Sequence, residues 1–202
     1  CKRICELFGA DHANLRAITI EAASRAVFQA LTKRGDIVMS LDLRKKEHCN
    51  NENFVYRFEN FGVDPKTQLL NYDEIEHKAI SCHPQLIIVS PINYPQSIDY
   101  ARFSQIAKAA GAYLWCDISQ TAGLIASGVI SSPLPYADVV TFRTFGALQG
   151  PQSAVILSNS DLGNLIDRTV TTAGHKGLLT PSLAALACRM QELKSDKYKA
   201  YN

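Results

Sequence analysis

An α/β fold, with a mostly parallel sheet carrying helices on both faces, is predicted for this chain from three observations. Short runs rich in Val, Ile and Leu alternate with segments whose apolar residues recur at helical spacing. Polar residues with chemical potential stand where those runs stop, as with Asp117 after the apolar Tyr113–Cys116. The 202 residues, 47% hydrophobic and 20% charged, suffice for one large buried core.

Taken in order, Cys1–Phe8 is amphipathic and reads as the middle of a helix, so a targeting segment could have been cut off ahead of it. Leu15–Thr19 reads as a strand or turn. A helix is expected over Glu21–Lys33, with Ala22, Ala26, Ala30, Val27 and Leu31 on one side, ended by Gly35-Asp36. Ile37–Leu41 is a strand, Arg44–Asn53 a polar loop, and Phe54–Phe61 a loosely alternating strand. Asp64-Pro65 turns the chain, and Asn71 is a suitable N-cap for a helix over Tyr72–Ser81. Gln85–Val89 and Ala112–Cys116 are buried strands flanking a helix over Ile98–Ala110, which Gly111 closes with the left-handed residue a C-cap wants. Ala137–Thr141 and Ala154–Ser158 are further strands, and Asp161–Val170 and Pro181–Leu193 the last helices. No repeat, low-complexity tract or linker interrupts residues 1–202, which read as one compact domain.

Several function classes are disfavoured. The net charge of +2 comes from scattered Lys and Arg, unlike the concentrated basic face of a nucleic-acid binder. Apolar stretches such as Leu86–Val89 are far too short to span a bilayer. The six cysteines, at positions 1, 5, 49, 82, 116 and 188, contain no CxxC pair, so no metal site is expected. Cys116 and Cys188 lie in apolar runs and are expected to be buried, reduced thiols. That favours an intracellular, reducing compartment, mitochondrial or cytoplasmic.

Ligands of open α/β sheets bind beyond the carboxyl ends of the strands, and three candidates fall there. Asp117 ends an apolar strand, where a carboxylate needs a cation or hydrogen-bond donors, although it could simply cap the next turn. Thr19 precedes a helix whose free N–H groups favour an anion, or it is an ordinary N-cap. Arg143 and Thr144 follow a strand, and Arg143 is either an anion ligand or a surface residue.

Longer strings carry a resemblance. Glu6–Asn14 (ELFGADHAN), Ile106–Asp117 (IAKAAGAYLWCD), Ala122–Gly128 (AGLIASG), Pro133–Thr141 (PLPYADVVT) and Gly150-Pro151 are collinear with segments of the serine hydroxymethyltransferases. Tyr94, Ile98 and Asp99 match that family's "SAYP…iD" region. The chain resembles the large domain of these fold-type-I pyridoxal-phosphate enzymes. The family's amino-terminal segment and carboxy-terminal small domain lie outside the match.

The resemblance implies conversion of serine to glycine with transfer of a one-carbon unit to tetrahydrofolate, the cofactor acting as electron sink. It implies that Asp117 pairs with the pyridinium nitrogen and that Thr19-Ile20 opens the phosphate cup, with Ile20 where a glycine should stand. It also implies losses. The segment "TTTTHKTLxGPRGG" reads Thr141–Ala154 here, so Gly146 occupies the Schiff-base lysine position and Phe145 that of the preceding histidine. The ring-stacking histidine corresponds to Asn51, with His48 retained nearby; Gln120 and Ile92 replace two further polar site residues. The glycine-rich "PGGQGGP" turn has become Thr172–Leu178, whose Lys176 serves a different part of the family's site.

No catalytic residue and no bound pyridoxal phosphate are therefore expected, with Asp117 and Thr19 as vestiges of the cofactor site. The leading expectation is an inactive homologue with a structural, assembly or regulatory role and a protein partner: another copy, an active paralogue or a larger complex. One alternative is a working hydroxymethyltransferase or related enzyme completed by another subunit. The other is a non-catalytic binder of an anionic small molecule at Thr19, Asp117 and Arg143.

Overall fold

The computed structural model describes residues 1–41, 56–92, 94–172 and 180–201. Seven strands form one sheet in the order β1-β7-β6-β5-β4-β2-β3. These are β1 (His12–Asn14), β2 (Ile37–Leu41), β3 (Arg57–Phe61), β4 (Leu86–Val89), β5 (Tyr113–Asp117), β6 (Val139–Arg143) and β7 (Ala154–Ser158). From β3 through β2, β4, β5 and β6 the pairing is parallel; β7 runs antiparallel to β6, and β1 antiparallel to β7. The expected mostly parallel sheet is present. Its central strands are apolar on both faces because helices cover both.

The helices are α1 (Lys2–Phe8), α2 (Ile20–Leu31), α3 (Tyr72–Cys82), α4 (Tyr100–Ala110), α5 (Ala122–Ala126), α6 (Ser160–Thr172), α7 (Thr180–Glu192) and α8 (Asp196–Tyr201). On one face α2 and α6 pack Ala23, Ala26, Val27, Phe28, Ile166 and Val170 against Leu86, Trp115, Val139 and Ile156. The alanines let α2 approach closely, and Phe28 meets Trp115 edge-on at 5.3 Å between ring centroids. On the other face α1, α3, α4, α5 and α7 bury Phe8, Ile75, Phe103, Ile125, Leu186 and Met190 against Met39, Ile87, Leu114, Val140 and Phe142. Each such fully buried side chain contributes about 1.5–3 kcal/mol over leaving it in water.

Several elements differ from the sequence expectation. Leu15–Thr19, read as a strand or turn, is no strand but bends at Ile18 and Thr19 into α2; the amino-terminal strand is His12–Asn14. Its polar residues disguised it, and they are satisfied sideways: His12 and Asn14 both reach the Asp167 carboxylate of α6, at 3.0 and 2.7 Å. Helix α4 starts only at Tyr100, because the Asp99 side chain accepts the Arg102 amide and caps it. Strand β6 extends through Arg143, which therefore ends the strand instead of following it. A 3₁₀ turn at Gly146–Leu148 and helix α8 were unforeseen. Strand β3 begins at Arg57; the loop expected over Arg44–Asn53, with His48 and Asn51, lies outside the described residues, as does Lys176.

Cys116 is buried, and burial with the nearby Asp117 and Asp138 carboxyls pushes its thiol well above the usual range. Cys188 is exposed, against expectation, because it lies on the side of α7 away from Leu186 and Met190. Cys1, Cys5, Cys82, Cys116 and Cys188 are free thiols. No helix among the described residues is long and apolar enough to cross a membrane. Among the same residues no group of three or more His, Cys, Asp or Glu side chains is placed to hold a metal ion.

Candidate functional site at the carboxyl ends of the central strands

Parallel pairing sets Asp117 opposite Thr141 and Trp115 opposite Val139. Alternation along a strand then places Trp115, Asp117, Thr141 and Arg143 on one face, the α2 side. Continuing the β4–β5 register beyond Val89–Cys116 brings Ser90 beside Asp117 on that same face. A buried indole needs an acceptor for its N–H, and Trp115 donates to the Thr141 hydroxyl at 2.9 Å. With that lone pair taken, Thr141 donates its own proton to Asp117 Oδ2 at 2.8 Å. The Ser119 amide donates to Asp117 Oδ1 at 3.0 Å. Burial raises the Asp117 carboxyl above its ordinary range; the Ser119 and Thr141 donors and, through space, the Arg143 guanidinium pull it back. The carboxylate is thus oriented from behind by neutral donors and, among the described residues, has no cation in hydrogen-bond contact.

Thr19 has the geometry of an ordinary cap, with its hydroxyl proton still free to donate. It is the N-cap of α2, in extended conformation, and its hydroxyl accepts the Ala22 amide at 3.3 Å. One first-turn N–H is therefore already satisfied from within, while Ile20 packs its branched side chain into the α2 core. Ala154 donates its amide to the Ala17 carbonyl at 3.0 Å and ties the approach to this helix onto β7.

Gly146 begins the 3₁₀ turn with φ of +79°, in the left-handed region. A Cβ there would have only Arg143 Nε and Nη2 within 4 Å, at 3.8 and 3.9 Å. The obstacle is the backbone: a non-glycine residue in this conformation costs about 1–2 kcal/mol. The surrounding loop has little freedom to relax. The Thr144 hydroxyl donates to the carbonyls of Pro151 and Ser153. From outside, Arg189 of α7 donates to the Leu148 carbonyl at 2.7 Å, and Tyr198 of α8 to the Ala147 carbonyl at 3.3 Å. Gln149 adds a second left-handed residue, with φ of +54°.

Arg143 is half-buried. Its guanidinium lies over the Phe145 ring at 5.0 Å, a cation–π contact, and its Nε is buried without a hydrogen-bond partner among the described residues. Two further buried side-chain atoms share that condition, the hydroxyls of Ser90 and Thr121. All three follow or end the central strands β4, β5 and β6. An unsatisfied buried polar group costs about 1–3 kcal/mol, so each calls for a partner.

The structure therefore brings together Asp117 and Arg143 and leaves Thr19 occupied as a cap. Gln120 and Ile92 face solvent. Sequence reasoning missed Ser90, Ser119, Thr121 and Thr141. The hydroxyl directly after Leu86–Val89 and the lone Thr inside Val139–Arg143 were the available signals.

Comparison with known proteins decides the lineage. The family model for serine hydroxymethyltransferase matches residues 1–202. This chain belongs to the serine hydroxymethyltransferase family. Among its relatives is a protein named serine hydroxymethyltransferase 2 from Pseudomonas savastanoi pv. phaseolicola, 36% identical over 99% of this chain and 50% of that protein. A serine hydroxymethyltransferase from Marinobacter nauticus is 39% identical over 98% of this chain and 50% of its own length. The chain spans about half the length of these relatives.

The family's pyridoxal phosphate would need three things of these residues. Asp117, held by Thr141 and Ser119, suits a protonated ring nitrogen. The phosphate end fits less well, because the Ala22 N–H is taken by the Thr19 hydroxyl and Ile20 stands where the resemblance expects a glycine. At Gly146 there is no amine, and the backbone disfavours one. The residues present do not fit the covalently held cofactor.

Proposed function

We propose that this chain is a serine hydroxymethyltransferase-like protein without catalysis of its own, serving a structural, assembly or regulatory role through a protein partner. The observation that carries this reading is the left-handed backbone at Gly146, on the position that the family resemblance assigns to the Schiff-base lysine. Polar substitutions alone could reflect a changed substrate. A glycine in a left-handed conformation that would cost a lysine about 1–2 kcal/mol, inside a loop held by Arg189 and Tyr198, supports the reading that the position has no amine to hold. The preserved helix–sheet packing supports retention of the fold for its surface.

The test is a pair of measurements on the purified chain. With pyridoxal phosphate and tetrahydrofolate supplied, release of glycine from serine is expected to remain at the level without protein. Sedimentation velocity over a concentration series, alone and with a lysine-containing paralogue, is expected to show a complex larger than one chain. Serine turnover in the chain alone would overturn the reading; turnover only in the mixed complex would favour an enzyme completed by another subunit. That second reading draws on Asp117, whose relay from Trp115 and Thr141 is intact.

A further inference from the structure

The amino end of the sheet, opposite Asp117 and Arg143, holds a cavity of about 380 Å³ beside the starts of β5 and β6. Helix α4 makes the hollow: Ser104, Ala107, Lys108 and Gly111 recur at helical spacing, form one stripe and line it. Tyr136 and Asp138 close the other side, from the turn that leads into β6. Asp138 is anchored twice to Leu114. Its amide donates to the Leu114 carbonyl at 2.9 Å, and its Oδ2 accepts the Leu114 amide at 2.8 Å. Its Oδ1 has no hydrogen-bond partner among the described residues, and Lys108 has no ion pair there. Ser104 is only 7% exposed. Its hydroxyl has no partner among the described residues either, not even the carbonyl one turn back that a helical serine often takes. A buried hydroxyl left so is costly, and the cavity is the side from which a partner can reach it.

These groups select a ligand by charge. An anion drawn to Lys108 meets Asp138 and the carbonyl end of α4, and a cation drawn to those meets Lys108. A hydroxyl suits both, donating to a carboxylate oxygen while accepting from an ammonium. A flat heterocycle would want a ring against each face. Tyr113 packs toward the α2 side of the sheet, which leaves Tyr136 as the aromatic wall, 43% exposed at the rim. We propose that this cavity binds an uncharged polyhydroxylated molecule the size of one sugar ring. Neighbouring hydroxyls of the ligand bridge Asp138 Oδ1 and Lys108, and Ser104 completes the set from within. The electron-rich face of Tyr136 takes the ligand's polarised C–H groups. The volume accommodates a monosaccharide with a few waters. The site is one of binding alone, with no covalent step.

Amide-resolved NMR of the purified chain tests this, with separate titrations of D-glucose, D-galactose, D-mannose and myo-inositol and with cyclohexanol as the single-hydroxyl control. Saturable shifts of the Gly111, Ala112 and Leu114 amides are expected with at least one of the four polyols, and none with cyclohexanol. Lys108→Met is expected to weaken that binding about tenfold, as loss of a hydrogen bond to a charged group would. Tyr136→Ala and Ser104→Ala should each weaken it by a smaller factor. Lys108 and Tyr136 are exposed, so both variants are expected to keep the fold, checked by circular dichroism. Absence of saturable shifts with all four polyols would overturn the proposal, as would equal binding of cyclohexanol. Unchanged affinity in either Lys108→Met or Tyr136→Ala would overturn it too, as would shifts centred on Gly146 at the other end of the sheet. Serine turnover bears on none of these results, so this inference and the proposed absence of catalysis fail separately.

Discussion

The Asp117 carboxyl ends a donor relay from Trp115 through Thr141, yet burial holds it above the usual carboxylate range. A folded-state pKa above the unfolded value means that the native state holds the proton more tightly than the unfolded chain does. Ionised Asp117 therefore opposes folding at neutral pH, and the opposition fades as pH falls through the folded pKa toward the unfolded value of about 4. Asp117→Asn is expected to melt at the same temperature as wild type or higher at pH 7, the gap closing on acidification; a gap that widens in acid would contradict this. Thr141→Val removes the middle of the relay and strands the Trp115 N–H in the core, so a loss of about 2 kcal/mol is expected in urea unfolding. Thr141→Ser keeps the hydroxyl and should lose less. Of this residue-scale chemistry, Asp117 was legible because a carboxylate after an apolar strand demands partners. The partners were not, since Thr141 sits inside the apolar string Val139–Arg143 and only the parallel register turns it toward Asp117.

At the scale of elements, the loop between β6 and β7 shows how the fold holds its functional edge. Gly123 of α5 abuts this loop so closely that a Cβ there would lie 2.6 Å from the Ala147 carbonyl and 2.8 Å from the Tyr198 hydroxyl. The first neighbour is backbone and has little room to move. Gly123→Ala is expected to destabilise the chain by about 1–3 kcal/mol and to disturb the 3₁₀ turn at Gly146–Leu148, visible as faster amide exchange there. This gives one residue of the family string AGLIASG a packing reason that needs no catalysis. Helices α2, α3 and α4 were legible because Thr19, Asn71 and Gly111 mark their ends and the apolar period matches their buried faces. Strand β1 was not, because His12 and Asn14 find Asp167 only after α6 has folded back onto it. The shift of Arg143 from the residue after a strand to its last position mattered most, since it fixed the face on which that side chain lies.

Across the whole molecule, the sheet and both helical layers of a serine hydroxymethyltransferase large domain are present, in a chain spanning about half the length of its relatives. Leu86–Val89, Tyr113–Cys116 and the alanine face of α2 are packed into the two cores. The positions that the family resemblance assigns to cofactor chemistry carry other residues: a left-handed glycine at 146, with Arg143 beside it, and Ile20 next to the N-cap Thr19. Family motifs made those substitutions legible in the sequence, whereas the positive φ and the unsatisfied Arg143 required the backbone. On the proposed reading the site differs from a cofactor site at several points, so that restoring one amine does not restore it. Wild type and Gly146→Lys should be titrated with pyridoxal phosphate, reduced with borohydride, and mapped by mass spectrometry for a phosphopyridoxyl adduct at position 146. The expected result is no saturable imine band in either protein and no enriched adduct at that position, with the variant less stable by about 1–2 kcal/mol. A stoichiometric band in Gly146→Lys with the adduct at position 146 would contradict the account and leave the missing lysine as the one defect that matters.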